Sequence, residues 1–184
     1  MTRPNGRAPA TWRSRRVLRA REACESHERS ESCDYTIRVD LDILLRGRIY
    51  DITRTRGMPP TIAELSDAMS ATGRDVRSAL ERLAAGRVIV RQPASGEILM
   101  VPPFSAVPTP FVVETSRHSA YANCAWDALG IPTMLRERAR IRTACGCCGE
   151  AIDLSVTPHE PPDAEHLVHF AVAAAHWWDD IAFA

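Results

Sequence analysis

The sequence predicts an α+β protein: an N-terminal winged-helix-like three-helix domain, followed by a mixed or antiparallel β-sheet core with short helices. Three observations predict it. Between Leu41 and Leu83, apolar residues recur at helical spacing in three segments divided by Gly57, the Pro59-Pro60 pair and Gly73. Two strand-like runs, RVIVRQ and EILMVP, follow and are joined by a turn at Pro93 to Gly96. Beyond Phe104 the helical pattern gives way to proline-rich extended chain, alternating apolar runs and a single short helix. The expected organisation is an Arg-rich disordered extension over 1–35, the helical domain over 36–104 and the core over 105–184.

The first 35 residues carry eight arginines before Cys33 and few branched or aromatic residues, too little apolar surface to offset the entropy of ordering. Cys24 and Cys33 lie there without an assigned role. Leu41, Leu44, Leu45, Ile49 and Ile52 then mark the apolar face of the first helix. Thr61 and Glu64 form a T-x-x-E capping box at the start of the second, whose apolar residues are Leu65, Ala68 and Met69. Gly73 breaks the chain before a third helix, in which Val76, Ala79, Leu80 and Leu83 share a face and Gly86 provides the stop. Three helices and a two-stranded wing are a fold-level signal that does not fix function. Arg74, Arg77, Arg82, Arg87 and Arg91 make a DNA-reading helix conceivable, and a winged-helix transcriptional regulator with a metal-sensing C-terminal part is the alternative reading, but Asp67, Asp75, Glu81 and Glu97 leave no clear positive face, so nucleic acid is not an expected partner.

Pro102 to Pro110 must run extended, because proline fixes its own φ and restricts its predecessor. Phe111 to Val113 reads as a strand, and a helix is expected from about Tyr121 to Leu129, closed by Gly130 and Pro132. ARIRTAC and AIDLSV form a hairpin with CGCCGE at its tip, Ile152, Leu154 and Val156 facing inward. Val168 to Val172 is read as a strand, Trp177 and Trp178 as edge packing, and Asp179 and Asp180 as surface charges, since adjacent side chains diverge.

Composition bounds the function classes. With 184 residues, 45% hydrophobic and 25% charged, the chain is an ordinary globular protein. The 23 basic and 23 acidic residues cancel, and all the basic ones are arginine. No apolar run reaches the roughly 18 residues of a membrane span, and the N-terminus lacks the apolar core of a secretory signal. Six cysteines, unevenly clustered, favour thiol or metal chemistry in a reducing compartment, and the cytoplasm is the expected location.

The chemistry-bearing stretch is ANCAWDALGIP, Ala122 to Pro132. It sets Cys124 and Asp127 three positions apart at the start of a helix, where side chains at i and i+3 share a face with Cβ atoms about 5 to 6 Å apart. A thiol there lies in the positive end of the helix dipole, which favours the thiolate. One cavity could then hold a soft nucleophile and a proton donor. The same cysteine in an apolar helix also fits a simple core filler. Cys145 and Cys148 have the C-x-x-C-G form of half a zinc site, but no second C-x-x-C exists, and His159, His166 and His169 match no zinc spacing.

Four ordered blocks decide between these readings: PFSAVPTPF (Pro103 to Phe111), YANCAWDALGIP (Tyr121 to Pro132), CGCCGEAIDLSV (Cys145 to Val156) and VHFAVAAAHWWDDIAF (Val168 to Phe183). Together they resemble the alkylmercury lyase family, the organomercurial lyases. The resemblance implies protonolysis of a carbon–mercury bond to a hydrocarbon and Hg(II), with Cys124 as mercury-binding thiolate and Asp127 as proton donor, both touching the metal. It implies no organic cofactor, low-molecular-weight thiols as co-substrates, an organomercurial as substrate, and thiols or a mercury reductase as acceptor of the bound Hg(II). It gives Cys145 a structural role and a winged-helix-like domain packed on the core. The family's second catalytic cysteine follows a WDDI-F-type segment, whereas this sequence stops at Ala184. A truncated and impaired or non-catalytic relative is therefore an expectation too, and Cys147 or Cys148 would have to substitute. Desolvation beside Trp126 and the proline-phenylalanine stretch is the expected cause of a raised Asp127 pKa.

Overall fold

The computed structural model describes residues 31–160 and 167–182. Its first helix, α1 (Glu31–Arg56), covers the first apolar segment and reaches back into residues 31–35, which the sequence assigned to the polar extension. The rest of that extension lies outside the described residues. Helix α2 (Ile62–Met69) begins at the expected capping box. Thr61 Oγ1 accepts from the Glu64 amide at 3.2 Å, and the Glu64 carboxylate accepts from the Thr61 amide at 2.7 Å. Arg56, at the end of α1, grips the same carboxylate through Nη1 at 2.5 Å and Nη2 at 3.0 Å, so one side chain ties two helices. Helix α3 (Gly73–Ala85) starts one residue earlier than a break at Gly73 would allow, because Thr72 caps the Asp75 amide at 3.2 Å. Gly73 is its first helical residue, and Gly86 ends it as expected.

Leu41, Leu45 and Ile49 of α1, Ile62 and Leu65 of α2, and Val76, Ala79, Leu80 and Leu83 of α3 form one buried cluster. Ile89, Ile98 and Val101 close it from the strand side. Arg82 reaches across to Asp42 with two hydrogen bonds of 2.7 and 2.8 Å, Arg77 donates to the Ser95 carbonyl, and Arg91 pairs with Glu81. Three of the arginines on and after α3 thus engage neighbouring groups of the fold.

All seven strands join in one antiparallel sheet: β1 (Val90–Arg91), β2 (Ile98–Val101), β3 (Phe104–Ser105), β4 (Val112–Glu114), β5 (Ser119–Ala122), β6 (Ala139–Ala144) and β7 (Ala151–Val156), in the order β1-β2-β3-β5-β4-β6-β7. The core sheet is therefore antiparallel rather than mixed among the described residues. The prolines of 102–110 do not run as one extended segment: β3 interrupts them and returns antiparallel to β2. A second cluster, built from Phe104, Val113, Ala120, Ala122, Ala128, Ile131, Leu135, Ala139, Ile141 and Val156, fills the other half of the molecule.

Two expectations fail for reasons of packing. Helix α4 spans Ala125–Leu135 and runs through Gly130 and Pro132 instead of stopping at them. Proline at 132 removes one intrahelical bond, yet Ile131, Pro132 and Leu135 are all buried, and that burial carries the helix a further turn. Val168 to Val172 forms no strand. A short 3-10 helix (Ala174–Asp179) follows it, where Trp177 packs on Phe170 and Trp178 stays partly exposed under the Arg87 guanidinium. Asp179 and Asp180 are exposed, as expected. Among the described residues, no helix is long and apolar enough to cross a membrane.

Candidate functional site

The position of Cys124 is set by the strand before it. β5 ends at Ala122, whose amide donates to the Phe111 carbonyl at 3.0 Å and whose carbonyl accepts from Thr109 Oγ1 at 2.6 Å. The chain then turns, and Cys124 is the N-cap of α4, with its carbonyl accepting from the Ala128 amide at 3.0 Å. Asp127 follows in the first turn. The structure thus brings Cys124 and Asp127 together at the start of one helix, close enough for each to act on the other's titration.

Their electrostatics differ from the simple dipole expectation. Cys124 is half-buried, and desolvation pushes its thiol pKa up. The amides of Trp126 and Asp127 work against that rise, but the thiol makes no well-formed capping hydrogen bond. Burial outweighs the pull of those amides, the reverse of what the helix start alone predicts. Asp127 is also held above the usual carboxylate range, again chiefly by desolvation, which hydrogen bonds from Asn123 and Cys124 only partly offset. Desolvation is thus the cause, as expected, but Trp126 offers little cover. That indole is 64% exposed, since the neighbour of an inward-facing helical residue points elsewhere.

Two residues that sequence reasoning passed over complete the surroundings. Asn123 Nδ2 donates to Asp127 Oδ2 at 2.9 Å, while its own Oδ1 is buried without a partner. An amide offers a donor on one side and an acceptor on the other, so a flip lets Asn123 serve either the carboxylate or the carboxylic acid. Its place beside Cys124 was the available signal. Tyr50 comes from α1, donates its hydroxyl to the Pro102 carbonyl at 3.1 Å, and feels the Asp127 charge as one of the causes raising its own pKa. No local pattern marks it, because α1 meets this end of the sheet only through the tertiary fold. Gly57, just past α1, lets the chain pack closely on the start of β5. It has φ of +79°, and a Cβ there would meet the Ser119 carbonyl at 2.4 Å.

The hairpin cysteines lie apart from Asp127 in sequence but at the same end of the sheet. Val112 pairs with Tyr121 on one side and Arg142 on the other, and β5 and β6 both run antiparallel to β4. Cys124 and Cys145 are each three residues beyond that level. Cys145 is half-buried, Cys147 and Cys148 are exposed, and all three are free thiols. Among the described residues no group of three His, Cys, Asp or Glu side chains is placed to hold a metal ion. His166 lies outside the described residues. A shallow groove lined by Leu129, Thr133, Val156 and Pro158 includes neither Cys124 nor Asp127.

Compared with known proteins, residues 104–184 match the family model described as MerB, alkylmercury lyase. No curated protein matches the chain. Among the solved structures, the mercury-bound form of MerB2 is similar at 20% identity with a TM-score of 0.51, covering 77% of this chain. The aligned part spans 63% of that protein's length. At this identity the likeness speaks for the fold. Residues 104–184, the segment that holds Cys124, Asp127 and the cysteine hairpin, carry the match to the alkylmercury lyase family.

Proposed function

We propose that the chain is an organomercurial lyase in which Cys124 binds the mercury and Asp127 delivers the proton. The observation that carries this reading is the contact between a half-buried thiol and a carboxyl whose pKa burial has raised, at one helix start inside the family-matching segment. Residues 36–104 are read as a winged-helix-like unit that supports this site through α1 and Tyr50.

A raised thiol pKa does not hinder capture of a soft metal, because metal binding displaces the thiol proton. As the Cys124 sulfur bonds to mercury, the Asp127 carboxylate takes that proton. The carbon–mercury bond then breaks with its electron pair left on carbon, and carbon takes the proton from Asp127. The hydrocarbon leaves, and Hg(II) remains on the Cys124 sulfur and the Asp127 carboxylate. Mercury is substrate and product, with no change of oxidation state. A proton donor near neutral pH needs the upward shift that burial gives Asp127. Low-molecular-weight thiols, or a mercury reductase, would then take the Hg(II).

Single-turnover release of benzene from a phenylmercury compound in excess thiol tests the reading. The expected outcome is release by the parent chain, and none by Cys124→Ala. Asp127→Ala should lose release while still binding Hg(II). A folded parent that binds Hg(II) but releases no benzene would leave a mercury-binding protein and overturn the lyase.

A further inference from the structure

We propose that Cys145 and Cys148, at the tip of the β6–β7 hairpin, form a separate two-thiolate binding site for a soft cation that accepts two-coordinate sulfur ligation, Hg(II) being the probe. The tip is a built turn. The Cys145 amide donates to the Glu150 carbonyl at 2.8 Å, and the Gly149 amide donates back to the Cys145 carbonyl at 2.9 Å. Gly149 at φ of +75° allows the chain to return into β7. The Gly149-to-Cys145 bond closes one helical turn, in which residues at i and i+3 share a face, so Cys145 and Cys148 stand side by side, and the Cys148 and Cys147 amides and the Cys148 thiol act on the Cys145 sulfur. Backbone amides aimed at a sulfur stabilise the charge that a metal-bound thiolate keeps.

The ligand count selects the cation. Zinc needs four ligands, and the described residues offer no third around this turn. Thiolates prefer soft metals, and a soft cation satisfied by two collinear sulfurs needs nothing more. Two sulfur–metal bonds form as the two monothiolates the cation arrives with depart, the two cysteine protons pass to those leaving thiolates, and nothing is oxidised or reduced. Cys147 contributes its amide, while its side chain, next to that of Cys148, diverges from it.

The site also has a place. β5 and β6 flank β4 and run parallel to each other, so the hairpin tip that follows β6 and the N-cap of α4 that follows β5 lie at the same end of the sheet. If Cys124 is the mercury ligand proposed above, the dithiol stands beside it as an acceptor on the same chain. Binding at the dithiol does not depend on that reading.

The test uses the full chain with Cys24, Cys33 and Cys124 replaced by serine, so that only the hairpin thiols remain. Mercuric chloride is titrated in the presence of excess reduced monothiol, with native mass spectrometry and the sulfur-to-mercury charge-transfer absorbance as readouts, and circular dichroism as the check on folding. One Hg(II) per chain should be held against the monothiol. Cys145→Ser or Cys148→Ser should weaken retention by about 100-fold, the advantage of two linked thiols over one. Cys147→Ser should leave it unchanged. A parent that retains no Hg(II), or a Cys147→Ser variant that loses it as Cys145→Ser does, overturns the proposal. Because Cys124 is absent throughout, either result is independent of the lyase test.

Discussion

At the scale of single residues, the site depends on what surrounds Asp127 more than on the spacing that first marks it. Cys124 and Asp127 were legible in the sequence because a helical i, i+3 relation is local. The sign of the Cys124 shift was not, because it is set by desolvation from parts of the chain distant in sequence. Asn123 is the group whose effect can be isolated. Its amide favours the ionised carboxylate, opposing the burial that raises the Asp127 pKa. Removing that donor in Asn123→Ala takes away a force lowering the pKa, so the Asp127 carboxyl should titrate at still higher pH than in the parent. Carbon-13 NMR of the aspartate carboxyls across a pH series reads this directly. An unchanged or lower Asp127 midpoint in the variant would show that Asn123 does not govern the acid.

At the scale of elements, local signals held where the stabilising contacts are themselves local. The capping box at Thr61 and the stop at Gly86 were visible because each involves neighbours in sequence. Helix α4 ran past Gly130 and Pro132 because burial of Ile131 and Leu135 outweighs the lost bond, and such burial cannot be read from a window of sequence. Val168 to Val172 has strand-like composition but pairs with nothing in the described sheet, whose edge is β7. The junction between α1 and α2 gives a pH-dependent prediction. Glu64, held by Arg56 and the Thr61 amide, has its carboxyl pKa lowered to about 2 from 4.5. A depressed carboxylate pKa means that the unfolded chain binds the proton more readily. The contribution is therefore fully present above pH 4.5 and is lost as pH falls toward about 2. Both side chains are partly exposed, so solvent screens the pair and the effect is modest. Urea midpoints for the parent and Glu64→Gln should differ most near neutral pH and converge toward pH 2. A constant gap across that range would assign the effect to packing instead of charge.

At the scale of the whole molecule, the sheet is what makes one body of two hydrophobic clusters. Val101 ends the first cluster and Phe104 begins the second. They face each other as paired residues across β2 and β3, and Phe104 pairs in turn with Ala122, two residues before Cys124. The Tyr50 hydroxyl on the Pro102 carbonyl and the Arg87 guanidinium over Trp178 add links between the helical half and the rest. The sequence showed a helical part and a strand part, but not that a single sheet would run through both, because strand neighbours such as β3 and β5 are brought together only by the fold. Phe104 is fully buried at this junction. Truncating a buried phenylalanine costs about 3 to 5 kcal/mol, enough to lower the melting temperature of a chain this size by about 10 °C. If the sheet couples the clusters, Phe104→Ala should shift the whole calorimetric transition and leave it single, so that the helical half loses stability although the substitution lies in the other cluster. A melt that divides in two, with α1 to α3 unfolding at the parent's temperature, would mean that the junction transmits little. The proposed site would then owe its geometry to the second cluster alone, and the contact from Tyr50 would be incidental to it.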